Sequence, residues 1–87
     1  MSFEGILSRI AGGESVSHSE LLPYLVLERR ERRYEVNKLL AEAYWQSNRQ
    51  DYRKHARTSI DRAWLLSASP TDLLPLYTEI HGALGMI

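Results

Sequence analysis

Nowhere in this chain do apolar and polar residues alternate for long at the two-residue period of a strand. Its apolar residues instead return every third or fourth position, the spacing that places them on one face of an α-helix. That periodicity runs through most of the 87 residues, with turn signals at Gly12-Gly13, Ser47-Asn48 and the Ser67–Pro70 stretch. A chain of this length makes one domain or part of one. The sequence therefore predicts a single all-α domain over residues 1–87, built from four or five helices in antiparallel hairpins.

The first helix carries Phe3, Ile6, Leu7 and Ile10 on one stripe and stops at the glycine pair. Residues 15–19 form a polar connector. Two later stretches repeat one pattern: "SELLPYL" from Ser19 and "TDLLPLY" from Thr71. A hydroxyl or acid at a helix start can accept a backbone N–H. A proline in the first turn costs little, because most N–H groups there have no helical partner. Both stretches are expected to open helices in the same way, with Ser19 as the cap of the first.

Leu21, Leu22, Leu25 and Val26 are expected to be the buried side of the second helix. The apolar-free "ERRERR" that follows, Glu28–Arg33, reads as a solvated helical turn, with Glu28 and Arg32 spaced to pair. No Gly or Pro lies between Val26 and Ser47, so that helix either runs on or breaks tightly near Arg33. Val36, Leu40, Ala43 and Tyr44 mark the face of the next helix, and Tyr52, Ala56, Ile60, Ala63 and Trp64 that of the one after it. Leu73, Leu76, Tyr77, Ile80 and Leu84 mark the last. The chain finishes on Met86-Ile87, an apolar end that reads as the interior of a longer protein.

Hydrophobic residues are 44% and charged residues 25%, as in ordinary globular chains. Lys plus Arg and Asp plus Glu are 11 each, without the basic excess of a nucleic-acid module. Nucleic acid is therefore a disfavoured partner. With no cysteine, disulfides and thiolate metal sites are excluded. No apolar run reaches the roughly 20 residues of a membrane span. The start, Met1-Ser2-Phe3-Glu4-Gly5, lacks the basic and apolar regions of a signal peptide. A cytoplasmic location is expected.

Within residues 37–70, Leu40-Ala41 and Tyr44 are followed by Asp51-Tyr52, then Ala56, Ile60 and Ala63, then Pro70. This order of small and large residues resembles the tetratricopeptide repeat, a hairpin of two antiparallel helices in which small residues allow close approach. The turn glycine of that pattern is absent, and the interval from Tyr44 to Ala56 is longer than the pattern's. The resemblance implies a hairpin over residues 34–70 within a right-handed superhelical fragment. It also implies that the first helix of the unit lines a groove for peptide segments.

Lys38, Glu42, Trp45 and Arg49 follow steps of four, three and four along one helical face. They are the candidate partner-binding residues, with Trp45 as apolar anchor and the others giving charge selectivity. Trp45 packing against the next helix is the competing reading. Trp64 reads as core. Arg29, Arg30, Arg32 and Arg33 form a candidate basic patch for an acidic partner or RNA.

No catalytic signature is present. His18, His55 and His81 are far apart, without metal-ligand spacing, and read as surface or boundary residues. Ser17-His18-Ser19 places a nucleophile type beside a base type, but neighbours along a chain rarely face each other. There is no glycine-rich phosphate loop and no nucleophile elbow. The expectation is a non-enzymatic interaction scaffold with a protein or peptide partner, no cofactor and no metal; a homo-oligomer is a further option. The competing class is the N-terminal part of a larger enzyme, such as a glycosyltransferase carrying such repeats.

Overall fold

The computed structural model describes residues 2–67 and 70–83. Those residues form five α-helices and one 3₁₀ turn, with no strand among them. In order they are α1 (Phe3–Ala11), α2 (His18–Leu25), α3 (Arg30–Gln46), α4 (Gln50–Leu66), the 3₁₀ turn Pro70–Asp72, and α5 (Leu74–Ala83). The Cα radius of gyration is 12.3 Å, close to the roughly 12 Å expected of a compact domain this long.

The centre of the molecule is the α3–α4 hairpin, whose two 17-residue helices share the largest interface. Its turn is short because Asn48 takes a left-handed φ of 60°, a conformation asparagine tolerates better than most residues. Ala41, Ala56 and Ala63 are fully buried. A methyl group in place of a larger side chain lets neighbouring helix backbones come close. The packed layers are completed by α1 and α2 against α3, and by α5 against α4. Ile10, Leu40, Ile60, Leu73 and Ile80 are the largest fully buried side chains, so the core draws on both ends of the chain as well as the hairpin.

The N-terminal helix begins and ends as its sequence suggests. Ser2 Oγ accepts from the Gly5 N–H at 3.1 Å. At the other end the Gly13 N–H donates to the Ile10 carbonyl and the Glu14 N–H to the Arg9 carbonyl, both at 2.9 Å. This pair of bonds is the Schellman closure, and it requires Gly13 in the left-handed region, at φ 86°.

Three expectations are corrected. The two Leu-Leu-Pro stretches are not built alike. α2 is capped by Ser17 rather than Ser19, and Glu20 Oε2 accepts from the Ser17 N–H at 3.0 Å, so Pro23 is the sixth helical residue. Its missing N–H falls in the second turn, and the helix ends two residues later. Pro75, by contrast, is the second residue of α5, in the first turn, after Thr71 and Asp72 have made the 3₁₀ turn.

The break after α2 falls at residues 26–29, with Arg29 as the residue before α3, not near Arg33. Glu28 lies in that bend, outside any helix, so it is not one turn below Arg32. The ion pair formed in this stretch is Arg29–Glu31, at 3.9 Å.

The apolar side of α2 is also narrower than its periodicity suggests. Leu21 is buried, but Leu22 is 42% and Val26 69% exposed. An eight-residue helix with little contact to its neighbours covers only part of its own stripe. Leu84 and the apolar end at Met86-Ile87 lie outside the described residues.

Candidate functional site

Of the four residues expected on one face of α3, three are there. Lys38, Glu42 and Trp45 are each half-buried along the helix. Glu42 lines a groove between α1 and α3, with Leu7, Ser8 and Ala11 on one wall and Leu39, Ala43 and Gln46 on the other. Trp45 packs partly against the core, and the Arg53 guanidinium of α4 sits over its ring, 5.6 Å from the centroid, within cation–π range.

Arg49 is placed elsewhere. α3 ends at Gln46, and Arg49 is the residue before α4. Its guanidinium forms a two-bond fork with Asp51, at 2.9 and 2.6 Å. It also donates to the Gly13 carbonyl at 2.9 Å and to Ser15 Oγ at 3.2 Å, and it covers the Tyr52 ring at 4.1 Å. Tyr52 continues this staple: its hydroxyl donates to the Glu14 carbonyl and accepts from the Val16 N–H. Together they tie the connector after α1 to the hairpin turn, joining residues some 36 positions apart.

The arginine run does not form one patch. Arg29 and Arg32 are exposed. Arg30 donates to the Leu66 carbonyl at 2.7 Å and the Leu65 carbonyl at 3.1 Å, closing the end of α4, where carbonyls lack helical partners. Arg33 turns inward. It lines a cavity of about 320 Å³ with Leu25 of α2, Asn37 of α3, and Arg62, Leu65 and Leu66 of α4.

The histidines divide in the same way. His18 and His55 are exposed. His81, expected at the surface or boundary, is only 7% exposed. It donates from Nε2 to Asp61 Oδ1 at 2.7 Å and stacks on Tyr77, which in turn stacks on Trp64. This column docks α5 on α4. Trp64, read as core, is half-buried within it.

Sequence reasoning missed Asn37, which is 4% exposed. The available signal was its position: a polar residue one turn after Arg33 and beside Val36 and Leu40, inside an otherwise apolar arc. Among the described residues no three His, Cys, Asp or Glu side chains gather as metal ligands. No helix there is long and apolar enough to cross a membrane.

Two carboxyls titrate away from their ordinary range. The hydrogen bond from Arg9, followed by that from the Ser17 N–H, lowers Glu20. The Arg49 fork lowers Asp51 in the same way. A depressed carboxyl adds stability above its unfolded pKa, and that contribution is lost as pH falls through the folded one. The urea midpoint is therefore expected to drop on acidification below about pH 4.5, with a shallower drop in Glu20→Gln and Asp51→Asn. Parallel pH profiles for wild type and both variants would remove these pairs from the account.

In comparisons with known proteins, no protein-family model matches the chain, and neither a curated protein nor a solved structure does.

Proposed function

We propose that this chain is a non-catalytic protein-interaction scaffold, cytoplasmic, which binds a peptide or a partner helix along α3. The reading rests chiefly on one observation. Lys38, Glu42 and Trp45 present two opposite charges and a tryptophan on a single helical face, half-exposed beside the α1–α3 groove. Tryptophan is enriched among the residues that dominate binding energy, and flanking charges select between partners. The α3–α4 hairpin, closed through buried alanines, supports the likeness to a tetratricopeptide unit, in which the first helix carries the peptide-facing residues. Arg49 contributes by holding the hairpin turn rather than by touching the partner.

Peptide-display selection against the 87-residue chain tests the proposal, with affinities of the selected peptides then measured for wild type and Trp45→Ala. Truncating a central tryptophan is expected to weaken binding by about tenfold or more. Equal affinity in a variant that still unfolds cooperatively would overturn the reading, as would a selection that enriches nothing.

A further inference from the structure

Both α2 and α4 pack on α3, yet they share no substantial interface with each other. The strip of α3 between them is the floor of an open groove. Its wide end is a cavity of about 320 Å³ beside Leu65 and Leu66 of α4. Its narrow end, about 70 Å³, lies between His18 of α2 and His55 of α4, over Leu40 and Tyr44 of α3. Leu25 and Arg62 line both cavities, so the two form one groove along α2. The first residues of α2 and α4 meet at the narrow end and their last residues at the wide end, so the two walls run parallel.

The groove has apolar lips. On α2, Glu20 and Tyr24 face α1, through Arg9 and Phe3. Leu22 is one turn after His18, on the opposite flank, which is the groove side. Leu22 is 42% exposed, and Leu65 on the facing wall is 77% exposed. Charge on α4 is sorted by flank as well. Towards α5 and α3 its cations have partners: Arg57 pairs with Asp61 at 3.9 Å, and Arg53 sits over Trp45. On the groove flank are Arg62 and, one turn before Thr58, Lys54. Both are exposed, and neither pairs with a described carboxylate. Arg30, also exposed, adds a charge at the wide end, where it holds the Leu65 and Leu66 carbonyls. No Asp or Glu lines either cavity.

The charge and length of the groove select its occupant. At 1.5 Å per residue, the walls from His18 to Leu25 and from His55 to Leu66 span about 10–16 Å. Helix residues i, i+4 and i+7 cover about the same distance. Helices pack by seating a ridge of side chains in a groove. We infer that the α2–α4 groove is a second binding site, which takes an acidic amphipathic helix of a partner protein. An apolar ridge of that helix lies between Leu22 and Leu65, over Leu21 and Leu25, and the carboxylates beside the ridge face Arg62 and Lys54. The site does not involve Trp45 and stands apart from the α3 face proposed above.

The test titrates the ¹⁵N-labelled 87-residue chain with acetyl-Asp-Glu-Leu-Glu-Glu-Leu-Leu-Glu-Glu-Leu-Glu-Ala-amide, whose leucines follow helical spacing. One control carries Lys in place of every acid. A second, acetyl-Leu-Glu-Leu-Glu-Leu-Glu-Leu-Glu-Glu-Asp-Glu-Ala-amide, has the same composition at the period of a strand. The helical acidic peptide is expected to shift amides of α2 and α4 saturably, and both controls to bind at least about tenfold more weakly. Calorimetry should show a loss of about tenfold in Leu65→Ala, from the lost apolar contact. Lys54→Glu combined with Arg62→Glu, both at exposed positions, should cost about tenfold and turn the preference towards the Lys peptide. Trp45→Ala should leave this affinity unchanged. The inference is overturned if no saturable shift occurs along the groove, if either control binds as tightly, or if the double charge reversal leaves the preference unchanged. Binding that is lost in Trp45→Ala, with shifts confined to the α3 face, would overturn it while leaving the scaffold reading in place. So would light scattering that shows a dimer which Leu65→Ala dissociates and the acidic peptide does not, because a second copy of the chain would then fill the groove.

Discussion

Tyr52→Ala is expected to remove about 3–5 kcal/mol of folding stability, the range for deleting a buried aromatic ring. A chain of 87 residues has roughly 4–13 kcal/mol in all, so the variant should be partly unfolded at moderate temperature. The ring is 5% exposed and meets the Tyr44 ring edge-on at 4.9 Å. Its hydroxyl also satisfies two backbone groups of the connector, the Glu14 carbonyl and the Val16 N–H. Alanine removes the packing and both bonds at once. Tyr52→Phe separates the two effects. It keeps the ring and strands the two backbone groups, which should cost about 1–3 kcal/mol. Urea unfolding of both variants checks this. A Tyr52→Phe protein as stable as wild type would show that the connector is held by Arg49 and the core alone.

Ile60→Ala should cost about 2–5 kcal/mol. Ile60 is fully buried on α4, at the hairpin interface. Neighbouring helices cannot close over the space left by the deleted carbons without disturbing the alanine contacts beside it, Ala56 and Ala63. Ile60→Val, which removes one methylene, is expected at about 0.5–1.5 kcal/mol. Leu65→Ala, five residues along the same helix but 77% exposed, should stay within about 0.5 kcal/mol. Thermal or chemical unfolding of the three variants gives the order directly. A Leu65→Ala loss comparable with that of Ile60→Ala would contradict the burial pattern on which this ranking depends.

Several features follow from local chemistry and could be read from the chain. The end of α1 at Gly12-Gly13 is a matter of backbone conformation within three residues. The turn at Ser47-Asn48 and the inward face Tyr52–Ala56–Ile60–Ala63 likewise need only turn propensity and helical period. The Leu-Leu-Pro pair shows the limit of such reading. The same letters give a proline in the second turn of α2 and one in the first turn of α5, because the cap is chosen by neighbours: Glu20 reaching back to Ser17 in one case, the 3₁₀ turn in the other.

The arginine run shows it again. Four consecutive-looking charges carry one helical pattern, yet Arg30 closes α4, Arg33 enters a cavity and Arg29 pairs with Glu31. Nothing local distinguishes them. Arg49 fits the face of Lys38, Glu42 and Trp45 by spacing, but the helix stops before it.

The sequence by itself determined that the chain is helical, where most turns fall and which side of the central helices turns inward, because periodicity and turn chemistry act over a few residues. Only the tertiary structure decided the fates of Asn37, Arg30, Arg49, Tyr52 and His81. Their partners lie tens of positions away, or, for Asn37, are set by a cavity that exists only once α2, α3 and α4 meet. A polar side chain acquires its role from the groups that packing brings opposite it, and spacing along one helix carries no record of them.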